Sequence, residues 1–424
     1  MFNLRRFAEP FAILFVATGF NARLKALRAW VALVICGVLL ALLPGCSQNS
    51  QRVNTAVEYY YIGDYPQAEA ELAPLIAKPD NNYVLNNCRY GSAALAAGNL
   101  RHAEQAFLTA YRIINSVNSN TAGEAIGAVT VYEGIRVWKG EPFERAMAHY
   151  YLGLIYLIKG DYENARAAFQ NSLFRLRAYS NPDSQRSQAQ RDATVDSNFS
   201  LGYFGLGFCY HMLNRPDLAK ANFQLAEQLN PAISPVVRKV YQPGTNCLVF
   251  VDWGFGPRKR AGGWYGEKVV FGPPLFRAGP PPYAHGWVDH KPADRFAVPT
   301  LVDTLALAAQ KRWLTMDTIR EGKAIAGTAI LAGGLAAADY GAVHRDQTVA
   351  LAGLGAAVLG AAIAASSHAD TRYWEMLPRC VYVIPVALKA GDNTIRVAAD
   401  GTASQSFTVQ YSGSGYRVLY VRLR

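Results

Sequence analysis

Hydrophobic and polar positions along this chain change their rhythm several times, and each change predicts a different kind of element. From Ala29 to Leu43 the residues are apolar almost without a break, after a short basic segment with Arg23, Lys25 and Arg28. From about residue 56 to Pro231 apolar positions return every three or four residues, the period of amphipathic helices. Cys247 to Trp253 is a short continuous apolar run that leads into a Gly/Pro loop with Arg258, Lys259 and Arg260, which predicts a buried strand. Gly262 to Pro299 is rich in glycine, proline and aromatics and reads as irregular or short-stranded. Helical spacing resumes at Val302 and continues into two Gly/Ala-rich stretches, Ala324 to Val343 and Thr348 to Ser367, around the polar turn His344, Arg345, Asp346. Alternation over Cys380 to Leu388, Ile395 to Ala398, Phe407 to Tyr411 and Tyr416 to Leu423, with turns at "AGDNT" and "SGSG", predicts a meander of short antiparallel strands.

The helical half repeats. "HYYLGLIYLIKGDYENARAAFQNSL" sets Leu152, Gly153, Tyr156, Gly160, Tyr162, Ala165 and Phe169 at tetratricopeptide spacing, and "YFGLGFCYHMLNRPDLAKANFQLAEQLNP" does so with Leu206, Gly207, Tyr210, Ala219, Phe223, Ala226 and Pro231. Two weaker copies precede them, with Tyr59, Gly63, Tyr65, Ala68 and Leu72, and with Gly91, Gly98, Ala103, Phe107 and Ala110. Small residues let paired helices approach, and the large ones fill the space between pairs. The equivalent small positions Ala56, Gly91, Gly153 and Gly207 are 35, 62 and 54 residues apart, so two insertions interrupt a period of about 34. They fall at Asn115 to Glu144, with room for an extra helix, and at the polar stretch Tyr179 to Ser197, a loop.

The Gly/Ala pair predicts a helical hairpin, since Gly327, Gly334, Gly353 and Gly360 recur at seven-residue spacing on one stripe of each helix. Burial inside the domain, pairing between copies through the glycine faces, and insertion into lipid are all open. Alanine and glycine are weak insertion signals beside leucine, which favours burial.

The early apolar run carries targeting information. Its length of about 15 residues fits a secretory signal better than a spanning helix, which needs about 20. It stops at Leu-Pro-Gly-Cys, which resembles a bacterial lipobox, and that resemblance implies that Cys46 is acylated and becomes the first mature residue. Residues 1–45 are then a lipoprotein signal with an extended n-region, and the second apolar run Phe11 to Phe20 is either part of that extension or the mark of a translation start placed too early. In lipobox proteins an aspartate after the cysteine tends to hold the protein at the inner membrane; Ser47 here implies the outer membrane, facing the periplasm.

Composition narrows the function further. The formal charge is +11, of which Arg5, Arg6, Arg23, Lys25 and Arg28 against Glu9 contribute +4 within the signal, and the rest is spread over 379 residues. No basic tract marks a nucleic-acid partner. Cys88 and Cys209 fall on helices as small hydrophobes; the compartment permits a disulfide between Cys247 and Cys380, and nothing in the sequence selects it. His285, Asp289 and His290 cluster in "HGWVDHKPAD" without a third spaced ligand, so no metal or cofactor is expected. GxSxG, Walker A and HExxH patterns are missing from the sequence.

"WKGEPFERAMAHYYLGLIYLIKGDYENARA" (Trp138 to Ala167) and "ADTRYWEMLP" (Ala369 to Pro378), behind a lipobox and between repeats and strands, resemble a family of tetratricopeptide-repeat lipoproteins of Gram-negative bacteria that carries no assigned activity. Trp138, Asp370, Arg372 and Trp374 are accordingly a candidate partner-binding or structural motif. The structural version has Asp370 capping a helix, Arg372 pairing locally and Trp374 packing on the sheet.

The expected architecture is α+β and multidomain: a tetratricopeptide-type α-helical solenoid over 46–231, then a small antiparallel β domain over 232–424 with a helical segment at 301–367. The expected function is that of a non-enzymatic scaffold or regulator with protein partners in the cell envelope. The alternative is an envelope enzyme acting on peptidoglycan or glycan around Trp253, His285 or Asp370.

Overall fold

The computed structural model describes residues 48–116, 138, 140–176, 198–262, 268–272, 279–293, 296–309, 315–365 and 370–423. The signal segment with Cys46, most of the first insertion and all of the second lie outside these residues.

Four helix pairs open the described chain: α1 (Gln48–Ile62) with α2 (Tyr65–Leu72), α3 (Tyr83–Ala96) with α4 (Leu100–Ser116), α5 (Pro142–Lys159) with α6 (Tyr162–Arg175), and α7 (Ser200–Met212) with α8 (Pro216–Leu229). One steric rule builds the last three. A methyl group on Gly91 would sit 2.8 Å from the Phe107 ring, one on Gly153 would sit 3.1 Å from Phe169, and one on Gly207 would sit 3.0 Å from Phe223. The phenylalanine of each second helix thus lies where the first helix has no side chain. Ala56 and Leu72, both fully buried, hold the corresponding positions in the first pair. Each pair is joined through a left-handed residue, Gly63, Gly98, Gly160 or Asn214, with φ between 53° and 84°. Only glycine or asparagine accepts that conformation readily. The next residue starts the second helix, and Asp64 and Asp161 cap it by accepting from Gln67 N–H (3.3 Å) and Asn164 N–H (3.2 Å).

After the short helix α9 (Ser234–Val240), the strands form two four-stranded sheets and a hairpin. β1 (Cys247–Trp253) runs between β7 (Cys380–Val386), antiparallel, and β10 (Arg417–Leu423), parallel, and β6 (Val302–Asp303) pairs with the outer edge of β7. β4 (Ala284–Val288) pairs with β5 (Lys291–Pro292) and β8 (Gly391–Ala399), which pairs with β9 (Gln405–Tyr411). β2 (Arg258–Gly262) and β3 (Lys268–Gly272) form the hairpin. The antiparallel meander read from the sequence is thereby corrected. The strands fall where alternation placed them, but every residue of β1 is buried and both its edges need partners, so β7 and β10 leave the meander to flank it. Alternation reveals a strand's faces and not its neighbours. The Cys247 and Cys380 thiols are free and buried, and the register sets Cys380 opposite Trp253, at the far end of β1 from Cys247.

Residues Thr55–Arg424 form one compact unit. The inner sides of the first helices meet the β1/β10 side of the first sheet: Tyr60 Oη accepts from Arg422 Nε (3.0 Å), Tyr151 Oη donates to Asp252 Oδ2 (2.5 Å), and Phe208 meets Tyr416 edge-on at 5.1 Å. Asp252 and Arg422 are register partners and both are buried. Burial raises the Asp252 carboxyl to about 6, against the pull of Arg422 and of the Tyr151 and Tyr420 hydroxyls.

The remaining helices are α10 (Thr304–Ala309), α11 (Thr315–Val343) and α12 (Gln347–Ala365). The last two lie antiparallel with their backbones almost touching: a methyl group on Gly353 would fall 2.3 Å from Ala338 N, and one on Gly360 2.3 Å from Leu331 N. Burial within the domain, which composition favoured, is not what the structure shows. The glycine stripes are buried, and the surrounding side chains are largely exposed. Ordinary side chains hold helix axes about 8–10 Å apart. Gly353→Leu should therefore lengthen the distance between spin labels on Ile330 and Leu359 by about 2–3 Å, and pulsed EPR measures it.

Candidate functional site

The inner surface of the repeats holds a peptide, and that peptide is part of the same chain. Residues 370–377 cross the first helices of the second and third pairs before entering β7. Trp374 is 1% exposed. Its ring lies 5.8 Å from Phe107 and 5.7 Å from Tyr151, centroid to centroid, and Phe107 and Tyr151 stack on each other at 5.3 Å. Its indole N–H donates to Ser92 Oγ (3.1 Å), and its backbone N–H donates to Glu144 Oε1 (2.8 Å). Glu375 receives Arg89 through two bonds, Nε at 2.7 Å and Nη2 at 2.6 Å, the fork geometry that suits guanidinium and carboxylate. Tyr61 Oη donates to the Glu375 carbonyl (3.4 Å).

The other end of the segment is fixed at the first insertion. Trp138 N–H donates to the Asn81 carbonyl (2.9 Å), and its Nε1 donates to the Arg372 carbonyl (3.1 Å). Arg372 donates to the Asn81 carbonyl (2.7 Å) and to Asn82 Oδ1 (3.0 Å), and pairs with Asp370 at 2.6 Å. Asp370 also accepts from Arg372 N–H (3.0 Å), which closes a local turn. Partial burial works against its ionisation, but the Arg372 hydrogen bonds and charge hold its carboxyl below the ordinary value. The structure thus brings Trp138, Asp370, Arg372 and Trp374 together. Asp370 closes that turn where a helix cap was expected, and Trp374 packs among helices where the sheet was expected.

Glu144 is the buried hinge of this arrangement. It lies in the first turn of α5, three residues after the N-cap Glu141, and its Oε2 accepts from Glu141 N–H (2.7 Å) while Oε1 takes Trp374 N–H. Lys259 of β2 pairs with Glu141 at 2.6 Å and adds positive charge nearby. Burial still dominates and raises Glu144 to about 7. Sequence reading missed Ser92, Arg89, Glu375 and Glu144. The "EPFE" spacing of Glu141 to Glu144 signals a helix start; nothing local signals that the same carboxylate holds the backbone of a segment 230 residues away.

The side chains anticipated for an enzyme do not converge. Trp253 is buried at the end of β1, His285 pairs with Asp400 at 2.8 Å in the second sheet, and Asp370 is engaged with Arg372. Asp289 and His290 form the β4–β5 turn, where Asp289 Oδ1 accepts from Thr394 N–H (2.9 Å). Among the described residues no group of three or more His, Cys, Asp or Glu is placed to hold a metal ion.

Comparison with known proteins agrees with the third helix pair. The tetratricopeptide repeat model matches residues 148–173, the α5/α6 pair, and the chain is a tetratricopeptide-repeat-containing protein. A crystal structure of MamA is 18% identical and aligns over 47% of this chain and 86% of that one, with a TM-score of 0.29. Another MamA crystal structure is 18% identical over 44% and 76%, with a TM-score of 0.28. No activity is carried over from either. No curated protein matches the chain.

Two outcomes follow from this geometry. Trp374→Ala should destabilise the protein by about 3–5 kcal/mol in denaturant unfolding, as expected for a large core aromatic, with Trp374→Phe less severe. The second concerns pH. Because the Glu144 value is raised from 4.5 to about 7, the folded protein keeps a proton that the unfolded chain has released. Its contribution is complete below about pH 4.5 and is lost as pH rises through 7. The unfolding free energy of the wild type minus that of Glu144→Gln should therefore fall by up to about 1.4 kcal/mol per pH unit between pH 5 and pH 7. The difference is the quantity to read, because Asp252 adds a slope of the same sign and buried His149, lowered to about 3, adds one of the opposite sign.

Proposed function

We propose that this chain is an outer-membrane lipoprotein, acylated at Cys46 and facing the periplasm, that acts as a protein-interaction scaffold or regulator in envelope assembly or maintenance. The observation that carries the scaffold reading is the occupied inner surface of the repeats. Stacked tetratricopeptide pairs hold an eight-residue segment through an aromatic anchor, a forked ion pair and main-chain hydrogen bonds, which is peptide recognition applied to the chain itself. The repeats thereby become a rigid body with the sheet, and a partner protein is met on their outward faces. The lipobox-like Leu-Pro-Gly-Cys and Ser47 support the anchor and its destination.

Metabolic labelling with a clickable fatty acid should mark the wild type and leave Cys46→Ser unmarked; equal labelling defeats the lipoprotein assignment. For the scaffold, a photoreactive residue at Leu225, exposed on α8, should give higher-mass adducts in cells. One at Ser92 should crosslink only within the chain, to the 370–377 segment. Higher-mass adducts from Ser92 alone would move the partner into the groove, and none from either position would sink the scaffold reading.

A further inference from the structure

The hairpin of α11 and α12 is not used by anything described above. Its inner stripe is satisfied: Gly334 and Gly353 face each other, as do Gly327 and Gly360, with backbone against backbone. Its outer surface is not. Ile325, Leu335, Val343, Leu351, Val358 and Leu359 are between 51% and 68% exposed. On each helix they lie mostly on the side away from the glycine stripe, so they fall on opposite sides of the hairpin and do not form one face. A partner protein covers a face; an apolar circumference calls for an apolar solvent.

The dimensions agree with one such solvent. Ile325–Val343 is long and apolar enough to cross a membrane, and Gln347–Ile363 is a shorter apolar helix beside it. At 1.5 Å per residue these 19 and 17 residues rise about 28 and 26 Å, close to the roughly 30 Å hydrocarbon core of a bilayer. In sequence Lys323 is the last charge before the apolar length, and the tip carries His344, Arg345 and Asp346, so polar residues bracket it at both ends. Asp339, the one charged residue within that length, lies about 7 Å from the tip along the helix, inside the margin of the hydrocarbon, and its cost is what the apolar surface has to offset. Tyr340 stacks on His344 at 4.0 Å near that same end, a position where amphipathic rings are enriched in membranes. Contact through glycine backbones is also the mode by which helices associate in lipid, where burial of apolar side chains gives no net gain.

We propose that the Thr315–Ala365 hairpin inserts into the hydrocarbon of a phospholipid bilayer, as an attachment separate from any lipid on Cys46. The test uses the full chain carrying Cys36→Ser and Cys46→Ser, so that neither acylation nor a thiol of the signal segment plays a part, with a single new cysteine at Val358 or, as a control, at Leu225. The native thiols at Cys88, Cys209, Cys247 and Cys380 are buried and do not compete for label in the folded protein. With a polarity-sensitive fluorophore and phosphatidylcholine vesicles containing a nitroxide-tailed lipid, quenching at position 358 should exceed that at 225 several-fold. Adding Leu351→Lys, a change at an exposed position, should abolish the difference while leaving the circular dichroism unchanged. Equal quenching at 358 and 225 overturns insertion. So does a label at 358 that is already shielded without vesicles and accompanied by a doubled molar mass, which would assign the apolar surface to a second copy of the chain.

Discussion

A single carboxylate with its two oxygens committed in opposite directions ties this molecule together. Glu144 closes the N-terminus of α5 with one oxygen and grips the backbone of Trp374 with the other. Neither bond is replaceable by water, because the site is buried, and a buried amide without an acceptor is costly. The position of the third helix pair and the path of the 370–377 segment are therefore set by the same group. Once Trp374 is placed, Ser92, Phe107 and Tyr151 have their partner, and the two halves of the chain cannot be separated without exposing all of them.

Much of the helical half was legible in the sequence. The small residues at 56, 91, 153 and 207 are each followed sixteen residues later by the large one that fills the space opposite, a regularity that needs no tertiary information. Strand positions were legible for the same reason: alternation is a local signal. What could not be read is which distant surfaces meet. Arg89 looks like an ordinary helical arginine until Glu375 arrives beside it, and β10 looks like the last strand of a meander until it is found parallel to β1. Such contacts leave no period in the sequence.

The glycine stripe of the hairpin is an intermediate case. Its spacing announces close packing of two helices, and the structure has that packing. The spacing does not say what lies on the other sides of the helices, because small apolar residues serve equally in a protein core, between copies or in lipid. Exposure away from the stripe separates this hairpin from a pair of core helices, and exposure is a property of the fold.

The parallel pairing of β1 with β10 also fixes an order of events. Cys247 and Arg417 are register partners 170 positions apart. Helix pairs close through local contacts and can form early, but the central strand of the first sheet has an open edge until β10 has emerged. Closing so long a loop is entropically slow. The inner surface of the repeats is likewise completed late, because the segment 370–377 that fills it lies just ahead of β7.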